Sequence, residues 1–451
     1  MMIELQRTSD IFGILFDPSA SRVLMLVDDA GNWSLPHVHV SDERIWLSNV
    51  VLTCSGMQKL VMANVTVLRN VEAVHSDDDS HVDLIYVLEN HSLDWTPPPQ
   101  SKWIGQNDLE NLTLAQPEFY ATIETELQQA TTDSVPALRP PWARAGWFAL
   151  ASAWIREQIE QQGDQLTAPI EQIRTWGISC ILHTQTERGS IFFKVCSALP
   201  LFCNEPVVLE ALSERYPDAV PTPIAIEPAQ RWMLLHDFGP ELRSLSALEK
   251  WADAIVRFGR LQISTIPQVE ELLAVGCLDR RLNVLSAQID PLLADEEALS
   301  QLSPEEMTQL QALIPRLRAM CKELTEYAVP CSLVHGDLHS GNITAQTLLF
   351  FDWTDACIAH PFFDLSTLTK DVEDYIAGGR AAVVDSYLSQ WLAYEPMHRL
   401  REIWQLAEPL GALHQSVSYQ HILATLEPTA KQQMKSGVPD WLRRMMRTMP
   451  N

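Results

Sequence analysis

Residues 333–343, Leu-Val-His-Gly-Asp-Leu-His-Ser-Gly-Asn-Ile, constrain this chain more than any other stretch, together with their echo Phe350-Phe351-Asp352-Trp353. An apolar run enters a polar turn, and a second apolar run returns to an aspartate. Four residues separate Asp337 from Asn342. An Asp so placed can accept a proton from an attacking hydroxyl, or orient that hydroxyl for in-line attack. Asn342 supplies a neutral oxygen to a cation, and Gly341 lets the backbone turn sharply beside it. Residues 347–351 are expected as an apolar strand, after a turn at Ala345-Gln346. The strand would return Asp352 beside Asn342, where its carboxylate suits a hard ion such as magnesium. The unit suits moving a phosphoryl group from a magnesium nucleotide.

The remaining chain is read as scaffold for that unit. Its 451 residues exceed a single ordinary core, so two or more domains are expected. With 46% apolar residues it can bury a sizeable interior. Lys and Arg number 32 against 58 Asp and Glu, a net charge of -26. That balance argues against nucleic acid, whose phosphates need clustered cations, and permits cationic ligands. The cysteines are scattered without a CxxC pair, which fits reduced thiols rather than a zinc ribbon or a disulfide framework. The opening Met1-Met2-Ile3-Glu4 lacks the basic and long apolar regions of a secretory signal. No run reaches the roughly 18 apolar residues of a membrane span. A cytoplasmic protein is expected.

From the start to about residue 130, strands are expected at 11–16, 22–27, 61–68 and 82–88. Asp17-Pro18-Ser19 and residues 28–32 are the first turns. The order strand, turn, strand, Gly31-Asn32-Trp33-Ser34-Leu35-Pro36, and later Ser101-Lys102-Trp103-Ile104, resembles the Nudix fold. In that family Leu-Pro leads into glycines and a helix whose glutamates hold magnesium. Here His37-Val38-His39-Val40 replaces the glycines, and residues 46–56 contain no Glu. The expectation is a degenerate Nudix-like α/β domain over 1–130 that does not hydrolyse pyrophosphates. His37 and His39 share one strand face but have no third ligand nearby in sequence, so an exposed strand explains them better than a metal does. Asp77-Asp78-Asp79 reads as a solvated loop. Residues 131–142, polar and Pro-rich, read as a linker.

Within residues 143–240, a helix is expected over 147–159, and residues 170–196 then alternate like a small sheet. Strands are expected at 176–182 and 190–195, joined by the turn 186–189. Lys194 sits in the second of these, and an unpaired ammonium there would be costly. Nucleotide phosphates, or Glu205 at the start of the next helix with Asn204 as cap, would give it a partner; strand lysine and helix glutamate form the ion pair that orients ATP in kinases. Residues 232–239 read as a strand leaving this lobe, with His236 and Asp237 at a nucleotide-binding hinge. The Asp237-Phe238-Gly239 triplet precedes Asp337, whereas the metal-binding DFG of protein kinases follows the catalytic loop.

Residues 241–451 read as mainly helical. Trp251, Ile255 and Phe258 share one face. Ser303-Pro304-Glu305-Glu306 is a capping box, and Pro315 is expected to kink the helix that follows. Alternation of His335, Asp337 and His339 along a strand would also permit zinc, but leaves Lys194, Asn342 and Asp352 unexplained.

The run His335–Asn342 with Phe350-Phe351-Asp352-Trp353, and His360-Pro361-Phe362-Phe363-Asp364-Leu365 downstream, resembles the aminoglycoside phosphotransferase and choline kinase family over about residues 145–430. The resemblance implies an α+β, two-lobed, protein-kinase-like fold: a small β-rich lobe at 143–240 and a large helical lobe at 241–451. It implies Asp337 as catalytic base, Asn342 and Asp352 as magnesium ligands, and Lys194 as the phosphate lysine, with Glu205, His236 and Asp237 about the nucleotide. His335, His339 and Asp364 would support the loop. The glycine-rich loop departs from the pattern, since residues 175–182 hold only Gly177, and ATP and GTP both stay open as donors. The acceptor would be a hydroxyl-bearing small molecule, and Trp353 and Asp355 would suit a cationic one. A non-catalytic nucleotide-binding regulatory module is the second expectation. Protein kinase activity is the third, against which the missing downstream DFG and APE segments weigh.

Overall fold

A computed structural model describes residues 8–28, 31–41, 47–76, 78, 80–132 and 135–450. The opening Met1–Glu4, parts of the 28–32 turn and of the 131–142 stretch, Trp46, Asp77 and Asp79 therefore lie outside the described residues. By internal contacts the chain divides into one unit of residues 1–194 with 426–433 and a second of 195–425 with 434–451. The first is rich in strands and the second mainly helical, a mixed α+β protein.

The first unit opens with β1 (Thr8–Leu15), β2 (Arg22–Val27), β3 (Trp33–Ser34), β4 (His37–Val40), β5 (Val65–His75), β6 (His81–Asn90) and β7 (Ser101–Gly105). They form two sheets, ordered β4-β1-β6-β5 and β3-β2-β7. In the larger sheet β1 pairs parallel with β6 and antiparallel with β4. Alternation along β1 sends Phe12 and Ile14 to one core, under helix Tyr120–Ala130, and Ile11 and Leu15 to the other, under helix Val51–Val61. Val61 ends that helix instead of opening a strand, and β5 begins at Val65. His37 stacks on Phe12 with ring centroids 5.1 Å apart. Asp78 accepts hydrogen bonds from Ser76 and Ser80 in the β5–β6 turn.

The Pro-rich stretch is not a loose tether. Trp142 is buried and its indole N–H donates to the Trp176 carbonyl at 2.7 Å. Arg139 forks onto Glu427 at 2.9 Å, fastening segment 426–433 to this unit. Helix Trp147–Gln161 follows as expected, then β8 (Glu171–Thr175), β9 (Ser179–Thr186) and β10 (Gly189–Cys196), with β8 and β9 antiparallel. The unit boundary falls within β10, just after Lys194.

In the second unit Asn204 stands at the N-cap of helix Glu205–Arg215 without capping it; its amide donates to the Pro228 carbonyl instead. The antiparallel pair β11 (Ala225–Glu227) and β12 (Trp232–His236) follows. Helix Leu248–Thr265 buries Trp251, Ile255 and Phe258. The capping box of Ser303 and Glu306 forms as expected, and Pro315 lies inside helix Pro304–Leu324. A small sheet ordered β13-β15-β14 joins β13 (Leu278–Asp279), β14 (Ser332–Val334) and β15 (Cys357–Ala359). Its strands share one buried core with helices Leu248–Thr265, Pro304–Leu324, Phe363–Tyr375 and Met397–Ala424. None of the cysteines forms a disulfide. Among the described residues no helix is long and apolar enough to cross a membrane.

Candidate active site

Fully buried, β14 delivers the chain to His335, and the backbone then turns at Gly336 with φ of +86°. A Cβ on Gly336 would lie 2.4 Å from the Asp355 carbonyl oxygen, so no other residue fits this turn unstrained. Asp364, in the first turn of helix Phe363–Tyr375, holds the turn in place. Its Oδ2 accepts the His335 N–H at 2.8 Å and its Oδ1 the Gly336 N–H at 2.9 Å. Gln262 donates to the same carboxylate at 3.1 Å and to the carbonyls of Leu333 and Pro361. Tyr387 donates its hydroxyl to Gln262 or to Pro361, completing a buried network.

The segment beyond Asp337 is a short 3-10 turn, Ser340–Asn342, not a strand. His339 caps it, its Nδ1 accepting the Gly341 N–H at 3.0 Å. Ser340 gives both its backbone N–H, at 2.7 Å, and its hydroxyl to Asp371. Gly341 is packed under Arg243, whose guanidinium would collide with any Cβ there. The Asn342 amide then reaches back, Nδ2 donating to the Asp337 carbonyl at 3.0 Å.

Return of the second aspartate needs no regular strand. Residues 347–351 form a turn and loop, with Leu348 at φ of +53°; the bridge Ile343–Phe350 and the Thr344 N–H donating to the Leu349 carbonyl at 3.0 Å pair the two runs. Two further bonds close the gap. Phe351 N–H donates to the Asn342 carbonyl at 3.0 Å, and His335 Nε2 lies 2.9 Å from the Phe351 carbonyl. Asp352 follows in a left-handed conformation, φ of +66°, which sets it apart from its neighbours as a residue held by its surroundings. Thr354 lies 2.9 Å from Asp352 Oδ1 and 3.0 Å from Glu205 Oε2. One hydroxyl hydrogen serves two carboxylates, which ties Glu205 to Asp352. Glu205 also accepts the Trp353 N–H at 2.9 Å and the Cys196 thiol at 3.3 Å.

Charge is concentrated here. Desolvation by the packed loop raises the Asp337 carboxyl above its ordinary value; His339 pulls it down, and Asp352 and Asp371 push it up. His339 Nε2 is 3.6 Å from Asp337 Oδ2, and the Asp337 side chain keeps 45% of its surface open to solvent. It therefore has an open side from which a hydroxyl can approach. Burial pushes Asp364 up to about 7, against the two backbone N–H groups it accepts, and nearby Asp337 adds to the rise.

The structure thus brings Asp337, Asn342, Asp352, Glu205, His335, His339 and Asp364 together. Both ring nitrogens of His335 lie against backbone groups of Phe351 and Asp337 and the side chain is fully buried, so the zinc reading of His335, Asp337 and His339 is set aside. Asp355 lies against Gly336. Trp353 is fully buried, its indole N–H on the Phe350 carbonyl and its ring near His335 and Phe258, so it supports the loop and offers no face to a ligand. His236 and Asp237 are exposed at the end of β12, where Asp237 caps the Gly239 turn at 2.8 Å. The chain leaving them joins the site, as Leu242 N–H meets the Ile343 carbonyl at 2.7 Å and Ala345 N–H the Pro240 carbonyl at 2.8 Å. Lys194 is buried on β10. Gly177 is held by packing: a Cβ would meet Leu426 at 2.4 Å. The sequence does not announce Asp371, Gln262, Tyr387 or Gln415, the last of which donates to the Gly336 carbonyl. For Asp371 a signal exists, since Asp364 and Asp371 are seven apart on one helix and so share a face.

Residues 208–403 match the phosphotransferase enzyme family. No curated protein matches the chain. Among solved structures, choline kinase from Cryptosporidium parvum is 14% identical with a TM-score of 0.48, covering 66% of this chain and 95% of its own. Plasmodium vivax ethanolamine kinase is 11% identical, TM-score 0.47, covering 74% and 96%. Macrolide 2'-phosphotransferase from Brachybacterium faecium is 14% identical, TM-score 0.44, covering 63% and 97%. The matched residues 208–403 hold Asp337, Asn342 and Asp352, and the expectation of a small-molecule kinase stands on that match.

Proposed function

We propose that this protein transfers the γ-phosphoryl group of magnesium-bound ATP, or GTP, to a hydroxyl of a small molecule. One observation carries the reading. Asp337, Asn342 and Asp352 are locked into a single loop pair by the Asn342–Asp337, Phe351–Asn342 and His335–Phe351 hydrogen bonds.

The donor set fits a hard cation. With the Asn342 amide nitrogen on the Asp337 carbonyl, the amide oxygen is the end left to ligate, and Asp352 brings an anionic oxygen from the facing turn. Bound there, magnesium would neutralise the phosphate charge that builds in the transition state. Asp337 would orient the acceptor hydroxyl and take its proton as oxygen attacks phosphorus and the β–γ bridge breaks. Lys194 would meet phosphate oxygens, and backbone groups at His236 and Asp237 the base. Glu205 holds the Asp352 turn at its proper height. His335, His339 and Asp364 shape the loop, and Asp355 flanks it where a cationic acceptor would approach. In this reading 143–240 and 241–451 are the two lobes, 1–130 is a Nudix-like arm without its metal carboxylates, and the chain works in the cytoplasm.

The test is release of ADP or GDP, with magnesium, against a panel of aminoglycosides, choline-like amines, sugars and nucleosides. Acceptor-dependent release by the wild type, lost in Asp337→Asn, is expected. Nucleotide binding with no acceptor-stimulated release across broad panels would favour a regulatory module. Absence of nucleotide binding would overturn the assignment of Lys194, Asn342 and Asp352.

A further inference from the structure

The first unit carries a second group of ligating side chains that the phosphotransfer chemistry does not use. On the larger sheet Asp10 of β1 lies directly across from His39 of β4 and from Asp83 of β6. His81, two residues before Asp83, projects from the same face of β6. The sheet thus joins residues distant in the chain: Asp10, His81 and Asp83 form the close group, and His39 meets Asp10 from β4.

The contacts are short. His39 Nδ1 is 2.6 Å from Asp10 Oδ1. His81 Nε2 is 3.0 Å from Asp83 Oδ1 and 3.6 Å from Asp10 Oδ2. Ligand atoms of Asp10, His81 and Asp83 all lie within 4.8 Å of one another. Metal bonds of about 2.0–2.2 Å in tetrahedral geometry put donor atoms roughly 3.3 Å apart, and the observed spacings bracket that value. All four side chains are partly exposed, from 21% for Asp83 to 57% for His39, so an ion could enter without unfolding the sheet.

The ring of His81 is also aimed. Its Nδ1 is 2.7 Å from the Thr8 hydroxyl. A hydroxyl donates or accepts equally well, so Thr8 supports either tautomer. When Nδ1–H donates to Thr8, the Nε2 lone pair points at the two carboxylates, the orientation a ligating histidine needs from its outer partner.

We propose that His81, Asp10 and Asp83 form a binding site for a borderline divalent cation of the zinc or cobalt type, with His39 as the outer partner that holds the Asp10 carboxylate. The imidazole of His81 favours such ions over magnesium or calcium, which prefer all-oxygen shells. The site clamps β4, β1 and β6 across the sheet, so its role is to stabilise the arm. The competing arrangement is a set of His–Asp pairs on an exposed strand face, held without metal.

The experiment uses the full chain, stripped with chelator and kept in excess magnesium. Cobalt is titrated while the visible d–d absorption is followed, and zinc is titrated calorimetrically. The wild type is expected to bind one cobalt ion with tetrahedral-type absorption and to gain thermal stability from zinc. His81→Ala and Asp10→Asn should each weaken binding at least about tenfold and abolish the zinc-dependent gain. Thr8→Val should weaken it by about tenfold with the ligands intact. His39→Ala, at the most exposed position, guards against a folding failure of the others. Equal cobalt uptake and spectra in wild type, His81→Ala and His39→Ala would overturn the proposal, as would no uptake by the wild type. Loss of stability on mutation that is the same with and without metal would identify the metal-free pairs and overturn it too.

Discussion

Asp364→Asn separates what a buried carboxylate costs from what it shapes. Asp364 is fully buried and its carboxyl is pushed up to about 7 from an ordinary 3.8. A rise of about three units corresponds to roughly 4 kcal/mol against the ionised form. Between about pH 4 and 7 the folded chain holds a proton that the unfolded chain has released, so stability falls as pH rises through that window. Above pH 7 the whole cost is present, and asparagine does not bear it. Asparagine can keep its oxygen at the Oδ2 position, where His335 and Gln262 donate, but then turns an NH2 toward the Gly336 N–H. That unsatisfied donor costs about 1–3 kcal/mol. The burial penalty on the carboxylate exceeds this loss, so at pH 8 the variant should unfold at the wild-type midpoint or slightly above. Activity should move the other way. Freed from its anchor, the Gly336–Asp337 peptide shifts, and a displacement on the order of 1 Å costs about 10²-fold in kcat/KM. Paired measurements of thermal midpoint from pH 5 to 8 and of acceptor-dependent nucleotide release decide the matter. A variant with full activity, or one several kcal/mol less stable at pH 8, would refute the reasoning.

Three other substitutions probe neighbouring contacts. Gly336→Ala puts a Cβ 2.4 Å from the Asp355 carbonyl at a φ of +86°, so it should lose at least about 2–3 kcal/mol in denaturant unfolding and all measurable turnover. Glu205→Gln keeps the helix start but weakens the hold on Trp353 and Thr354; the KM for magnesium nucleotide should rise about tenfold while acceptor KM stays within twofold. Asp371→Ala strands the Ser340 N–H, and is expected to lower the unfolding free energy by about 1–3 kcal/mol and kcat severalfold, with nucleotide affinity read calorimetrically unchanged.

The parts of this site that are legible in the sequence are those whose partners are close in the chain. Asp337, Asn342 and Asp352 span few residues, so their convergence can be argued from turns alone. The route between them cannot. The apolar run over 347–351 predicts a strand, but the run is apolar because Leu348 and Phe350 enter the core, and the bridge to Ile343 with the Thr344–Leu349 bond suffices for register. Trp353 misleads for the same reason in reverse: an aromatic beside acidic residues looks like a cation site until the helix Leu248–Thr265 is packed over it. Gln262, Tyr387 and Gln415 are invisible because their roles depend on helix placement, which no local pattern records. The His39 cluster shows the same limit, since its partners are set by strand order and the parallel pairing of β1 with β6.

A distinction among the carboxylates of the second unit follows from their partners. Asp364, Asp371 and Glu205 each accept backbone N–H groups, from His335 and Gly336, from Ser340, and from Trp353. Such groups fix where the loop goes. Beside the carboxylates of Asp337 and Asp352 stand a histidine and a threonine hydroxyl, side-chain partners that can shift when a ligand arrives. Anchoring and chemistry are thus divided between carboxylates that differ in what binds them rather than in sequence context. The division is physically reasonable: a carboxylate that accepts a rigid backbone N–H has that lone pair committed to holding the loop, whereas one met by rotatable side chains can exchange them for a cation or a proton. Conservative amide substitution should therefore act differently on the two sets. At Asp337 and Asp352 it removes charge where the reaction needs it and should reduce kcat/KM steeply at every pH. At Asp371 the asparagine oxygen can still accept the Ser340 N–H, so Asp371→Asn should retain most of the activity that Asp371→Ala loses. Equal losses in the two Asp371 variants would mean that this carboxylate acts through its charge, and the division would fail there.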